Sequence, residues 1–213
     1  VPLPPHAHAQ ELLERHMNSL SEAEMIAASQ AVERALVNTV TPQQPPPSQT
    51  TIAILGAGLS GLSLAAAFSA DGVEGIAILE KKSAVGGVWT HYGNSFSRVN
   101  VSGPGYQLPT SRSRARASVM HPYHHDVLAD ALDVIQTHHL GGGIHLKTEV
   151  RSVAPGDGQM RRWIASGLTG RAAAFATACK PLLAAESLNG LGAFALRENR
   201  TPRSPPREPT AIS

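Results

Sequence analysis

The chain has 213 residues, of which 42% are hydrophobic and 16% charged, and its net charge is +2. That length suits one domain with extra segments and is too short for two full nucleotide-binding domains plus a substrate region. The balanced charge gives no strong attraction to nucleic acid or membrane. The single cysteine, Cys179, excludes an internal disulfide framework, and no apolar run is long enough to span a bilayer.

Residues 1–9 are rich in Pro and His and read as loose chain. The chain starts with Val1 rather than Met, which points to a fragment or a processed form. No charged region followed by an apolar one marks a signal peptide, so an intracellular, cytoplasmic setting is expected. A helix is predicted over about Gln10–Asn18, with Leu12, Leu13, His16 and Met17 near one face. Ser21-Glu-Ala-Glu24 is a capping box flanked by Leu20 and Met25 as a staple, so a second helix is predicted over Glu22–Asn38. Its stripe of Met25, Ala28, Val32, Ala35 and Leu36 makes residues 1–41 a helical segment, read as a hairpin or, more sharply, as a partner-binding helix. Pro42, Pro45, Pro46 and Pro47 forbid helix and favour extended backbone, so residues 42–50 are read as a linker.

The nucleotide-binding domain is placed at residues 51–170. Ile52-Ala-Ile-Leu55 is an apolar run suited to a parallel strand, and Gly56-Ala-Gly-Leu-Ser-Gly61 follows it as a G-x-G-x-x-G turn. Gly56 allows the tight turn, Gly58 lets a pyrophosphate approach the backbone, and Gly61 lets the helix pack close to the strand. Leu62, Leu64, Ala65, Ala66 and Phe68 suit that helix, with Gly72 as its stop. Its N-terminus would offer free amides, including those of Leu59 and Ser60, to phosphates. Ile76-Ala-Ile-Leu-Glu80 reads as the second strand. Glu80 stands at the spacing of about 20 residues where an acid accepts hydrogen bonds from a ribose. Lys81 follows it. Gly86-Gly-Val-Trp89 next permits close backbone approach and adds a flat aromatic surface.

Ser97-Arg-Val-Asn-Val-Ser-Gly-Pro-Gly-Tyr-Gln-Leu108 reads as a polar loop of the kind that lines sites. Arg112, Arg114 and Arg116 read as a solvated loop, with a phosphate contact as the alternative. His121, His124 and His125 do not make a metal site, because two are adjacent and no ligand pattern follows downstream, so no metal is expected. A helix is predicted over His124–His139, with Val127, Ala131, Val134, Ile135 and His138 facing a sheet and Asp126 and Asp130 in its first turns. Gly141-Gly-Gly143 ends it, and Ile144, Leu146, Thr148 and Val150 alternate as one strand. Arg162-Trp-Ile-Ala165 reads as a short strand. After Arg171 the pattern fails, and residues 171–213 are read as a disordered tail. Gly190-Leu-Gly-Ala-Phe-Ala195 matches a second dinucleotide turn by chance, since no apolar strand precedes it.

Together, Gly56-Ala-Gly-Leu-Ser-Gly61, Glu80 and Gly86-Gly-Val-Trp89 resemble the flavin-containing monooxygenases and their Baeyer–Villiger relatives. Ser97-Arg-Val-Asn100, His121-Pro-Tyr-His-His-Asp-Val-Leu128 and Leu146-Lys-Thr-Glu-Val150 add to the resemblance, which covers roughly residues 50–168. It implies an α/β fold built on a Rossmann-like FAD-binding βαβ domain. FAD would lie on residues 56–61, on Glu80 and Lys81, on Gly86, Gly87, Val88 and Trp89, and on Val150, with Asn100 near the reactive ring. NADPH would reduce the flavin, and a flavin hydroperoxide would oxygenate an amine nitrogen or sulfur, with the cofactor carrying the chemistry. The family's second dinucleotide turn for NADPH is not found, so the chain looks truncated, like the first half of such an enzyme. A non-catalytic FAD-binding remnant or interaction module, or an FAD-linked oxidoreductase of amine oxidase type, remains the alternative. Partners other than a small-molecule substrate, and the oligomeric state, are not legible.

Overall fold

Two short apolar strands sit at the centre of the molecule and fix what can pack around them. The structure, a computed structural model, describes residues 20–40, 45–100, 106–108, 121–155, 163–169, 174–179, 182–184 and 194–195. In chain order its first elements are α1 (Glu22–Thr39), β1 (Ile52–Leu55), α2 (Leu59–Ala70), β2 (Ile76–Leu79), α3 (Val88–His91) and α4 (His124–Thr137). A 3-10 turn over Leu140–Gly143 leads to β3 (Ile144–His145), β4 (Thr148–Pro155), β5 (Trp163–Thr169), β6 (Ala174–Cys179), β7 (Leu182–Ala184) and β8 (Phe194–Ala195).

The strands β1 and β2 pair in parallel, Ile52 opposite Ile76 and Leu55 opposite Leu79. Parallel strands need a crossover, and α2 supplies it, which is why the apolar run, the glycine turn and the helix come in that order. The five-stranded sheet runs β3-β2-β1-β7-β8, with only β8 antiparallel to its neighbour. Ile54, Leu62, Ile78, Leu128 and Ile135 are fully buried in the core. Each such side chain contributes about 1.5–3 kcal/mol on leaving water. The buried apolar face of α4 is Val127, Leu128, Ala131, Val134 and Ile135: Leu128 joins the predicted stripe, and His138 falls outside it as the C-cap.

The second sheet is the antiparallel meander β4-β5-β6. Its register shifts between Val150 and Ser152, and Gly167 faces that bulge. A Cβ at Gly167 would run into the Glu149 carbonyl, so the bulge requires glycine there. Ala53, Ala77, Leu79, Ala165 and Cys179 form the small core between the two sheets. Among the described residues no helix is long and apolar enough to cross a membrane.

Four expectations change. The alternating stretch 144–150 is two strands in different sheets, because Lys147 takes a left-handed conformation (φ 51°) and breaks it. Residues 48–50 of the linker are docked on β6: Thr50 N–H donates to Ala178 O at 3.0 Å and Ala178 N–H to Ser48 O at 3.0 Å. An extended proline-rich segment suits a sheet edge as well as it suits a spacer. The boundary at residue 170 cuts through the meander, since β6 pairs with β5 along its whole length and β7 joins β1. Alanines and a threonine in β6 give little hydrophobic contrast, which is why the pattern looked lost there. Finally, the stretch 171–213 read as a disordered tail contains β6, β7 and β8, the last pairing antiparallel with β7. The predicted helix at residues 10–18, the arginines of residues 112–116 and the tail beyond residue 195 lie outside the described residues.

Candidate nucleotide-binding site

The site is assembled at the carboxyl ends of β1 and β2. Gly56 turns the chain with φ 96°, and its amide donates to Leu79 O at 2.9 Å. Gly58 is the N-cap of α2 and offers no side chain to close the helix end. The amides of Leu59, Ser60 and Gly61 have no protein acceptor among the described residues, whereas Leu62 N–H already reaches Gly58 O at 3.0 Å. Three free N–H groups at the positive end of a helix dipole form an anion-binding end. Gly61 is buried, as close packing of α2 on the sheet demands.

Gly86 and Gly87 come up against this turn. Gly86 N–H donates to Ala57 O at 2.9 Å, and a Cβ on Gly87 would lie 3.0 Å from Gly58 Cα. Both glycines have positive φ, 103° and 60°. Their reasons differ. A Cβ on Gly86 would strike the Thr90 hydroxyl and come within 2.8 Å of Leu128 Cδ2, so Gly86 is set by packing rather than by ligand approach. Gly87 is the member that packs directly on the Gly58 backbone, and a side chain there would push the glycine turn away.

Glu80 is buried at the end of β2, with Oε2 accepting from Ala57 N–H at 2.8 Å and Oε1 from Lys82 N–H at 2.7 Å. Its carboxylate therefore ties the glycine turn to the strand end. Each oxygen keeps a second lone pair for a ribose hydroxyl. Lys81 beside it is exposed. The chain at 145–148 flanks this corner: Glu80 N–H donates to His145 O at 2.9 Å and Thr148 N–H to Glu80 O at 2.8 Å. Val150, two residues on, packs against the inter-sheet core.

Trp89 is half-buried. Its Nε1–H donates to the Tyr106 hydroxyl at 2.8 Å, and the two rings meet edge to face at 5.7 Å. Val88 is exposed on α3. Asn100 is exposed, one residue past buried Val99, and no hydrogen bond joins it to the glycine turn. Val99 N–H donates to Pro122 O and His124 N–H to Ser97 O, both at 2.9 Å, so residues 97–99 pair with the entry to α4. Arg98 lies 3.6 Å over the Tyr123 ring, and burial lowers its guanidinium from the ordinary arginine value.

The sequence offers no sign of what His124 does. It is buried, and Nε2–H donates to Trp89 O at 3.0 Å, leaving Nδ1 to accept from the Ser29 hydroxyl at 3.3 Å. One imidazole thus joins α1, α3 and α4. His121 turns instead to Val99 O at 3.0 Å, and His125 stacks on Tyr123. Among the described residues no three His, Cys, Asp or Glu side chains gather as a metal site.

The free amides of residues 59–61 and the buried Glu80 carboxylate place donors for anionic oxygens beside an acceptor for hydroxyls, the chemistry that a dinucleotide pyrophosphate and ribose require.

Comparison with known proteins agrees with the fold. Residues 54–131 match the model of the NAD(P)-binding Rossmann-like domain. No curated protein matches the chain by sequence. Among solved structures, an oxidized steroid monooxygenase bound to NADP is 23% identical, with a TM-score of 0.54 over 64% of this chain and 26% of its own. A flavin-containing monooxygenase from Stenotrophomonas maltophilia is 18% identical, with a TM-score of 0.51 over 65% of this chain and 38% of its own. The bacillithiol disulfide reductase Bdr from Bacillus cereus is 15% identical, with a TM-score of 0.54 over 64% of this chain and 39% of its own. The chain therefore spans between about a quarter and two fifths of the structures it resembles, and it shares their Rossmann-like α/β fold.

Proposed function

We propose that this chain is the FAD-binding part of an NADPH-dependent flavin monooxygenase. The observation that carries the reading is the meeting of Gly87 with Gly58 beside Glu80, which joins the glycine turn to the Gly-Gly-Val-Trp segment in one site. In this reading the pyrophosphate lies on the amides of residues 58–61, and Glu80 accepts from the adenosine ribose. FAD would supply the oxygen-activating chemistry, acting on a soft nucleophile such as an amine nitrogen or sulfur. The chain's own residues bind and orient: Glu80 holds the turn, Gly87 packs on Gly58 at its edge, and His124 fixes Trp89 through its carbonyl.

The fold does not choose between flavoenzymes, because a disulfide reductase shares it. The cysteine content weighs against that chemistry here. Cys179 is the single cysteine of the chain, and burial pushes its thiol above the ordinary value, so no dithiol pair is offered. The test is the visible spectrum of the purified chain loaded with FAD, before and after NADPH. Flavin absorbance that NADPH bleaches, with recovery in oxygen faster than for free flavin, supports the full reading. Flavin absorbance that NADPH leaves untouched would assign the chain to FAD binding without its own reduction.

A further inference from the structure

A cleft of about 410 Å³ opens on the other side of the glycine pair, between α1 and the β3 end of the large sheet. Its size falls within the range of about 300–1,000 Å³ typical of small-molecule pockets. Leu36 and Val37 of α1, with its C-cap Val40, line it together with Val85, Ile144 and Leu146. α1 is held off the sheet at two points. Ser29 meets His124 on α4, and Gly141 lies so close to the Thr39 carbonyl that a Cβ there would clash. Between these points the helix leaves a cleft floored by the nearly buried Leu36, Val40, Val85 and Ile144. Val37 shows the consequence: it lines the cleft and stays 62% exposed, an apolar side chain at the mouth.

Two opposite charges line the same cleft, Glu33 and Lys147. A ligand bearing either charge would gain from one and be opposed by the other, while also losing water in an apolar slot. Hydroxyls of Ser83 and Thr90 add polar points without charge.

We propose that this cleft binds a neutral, mainly apolar small molecule carrying one uncharged polar group, such as an alcohol or ketone. The site is distinct from the nucleotide turn, although Val85 in its wall directly precedes Gly86. The proposal stands independently of the identity of the nucleotide.

The test is titration of the full chain with Nile red, an uncharged dye that brightens in apolar surroundings, with competition by 1-decanol, decanoate and decylammonium. Saturable binding of one dye per chain is expected, with 1-decanol displacing it at about tenfold lower concentration than either charged analogue. Excess FAD should leave the dye bound. Val37→Trp and Ser83→Trp, both at exposed positions, should each weaken dye binding about tenfold while the thermal midpoint holds. Tyr92→Ser, on an exposed residue outside the cleft, should change nothing. Dye binding that survives both tryptophan variants, that follows Tyr92→Ser, or that a charged analogue displaces best would overturn the proposal. So would the absence of saturable binding.

Discussion

Glu80 ties the glycine turn to the strand end, and in the proposed reading it also accepts from a ribose; only the second role is legible in the sequence. Its distance from the glycine turn marks it as a ribose acceptor. Its bond to Ala57 N–H at 2.8 Å spans 23 positions and leaves no local trace. Glu80→Ala would therefore do more than weaken FAD. It would strand the Ala57 amide in a buried corner, at a cost of roughly 1–3 kcal/mol of stability without any nucleotide present. Urea unfolding of the nucleotide-free variant checks this, and an unchanged midpoint would mean the carboxylate does not hold the turn. Glycines at positive φ separate in the same way. Gly72 has φ 77° and open space around it, so Gly72→Ala should cost only the left-handed backbone penalty, about 1–2 kcal/mol. Gly86→Ala adds overlap with Thr90 and Leu128, so its loss should exceed that of Gly72→Ala by about 1–3 kcal/mol. Equal losses in denaturant melts would show that the Gly86 site is not tightly packed.

Local signals predicted elements well where a cap or a period announces them. The Ser21 box forms as expected: Glu24 N–H donates to Ser21 Oγ at 3.3 Å, and Ser21 N–H donates to Glu24 Oε2 at 2.7 Å. Ser21→Ala should lower stability by about 1 kcal/mol if α1 folds with the domain. Bonds from the Ser21 hydroxyl and then its amide lower the Glu24 carboxyl below the ordinary glutamate value. A carboxyl lowered by folding adds stability above its unfolded value and loses it as pH falls through the lower, folded one. The first turn of α1 should thus fray on acidification below the glutamate range, seen as faster amide exchange at residues 24–25 after correction for intrinsic rates. Protection that stays level across that window would contradict the cap's ionic part. Elements defined by distant pairing were harder to read. Residues 144–150 alternate like one strand, yet Lys147 turns because its amide reaches Lys82 O at 2.8 Å. Likewise Thr177 Oγ1 donates to Pro47 O at 2.8 Å, a contact across 130 positions that makes the proline segment part of the meander.

At the scale of the whole molecule, the strand–turn–helix–strand unit carried enough signal to place the fold and its glycine turn. The closing strands did not, because β6 and β7 owe their place to partners at β5 and β1 rather than to their own pattern. A chain ending at residue 170 should therefore lose cooperative unfolding, while one ending at residue 195 keeps the full chain's midpoint, as thermal melts would report. The central claim is that the amide end of α2, where Gly58 packs on Gly87, holds the FAD pyrophosphate. Gly58 has φ −74°, and a Cβ there would meet Gly87 Cα at 3.7 Å, an ordinary contact, so Gly58→Ala should fold with a loss of about 1 kcal/mol or less. The same methyl group would stand against Gly87 at the helix end that a pyrophosphate must approach. Calorimetric titration of the chain and of Gly58→Ala with FAD tests this directly. The account predicts one FAD per chain, competition by ADP, and affinity about tenfold weaker in the variant, a difference of about 1.4 kcal/mol. A folded chain that ignores FAD, or a Gly58→Ala variant that binds it unchanged, would contradict the account.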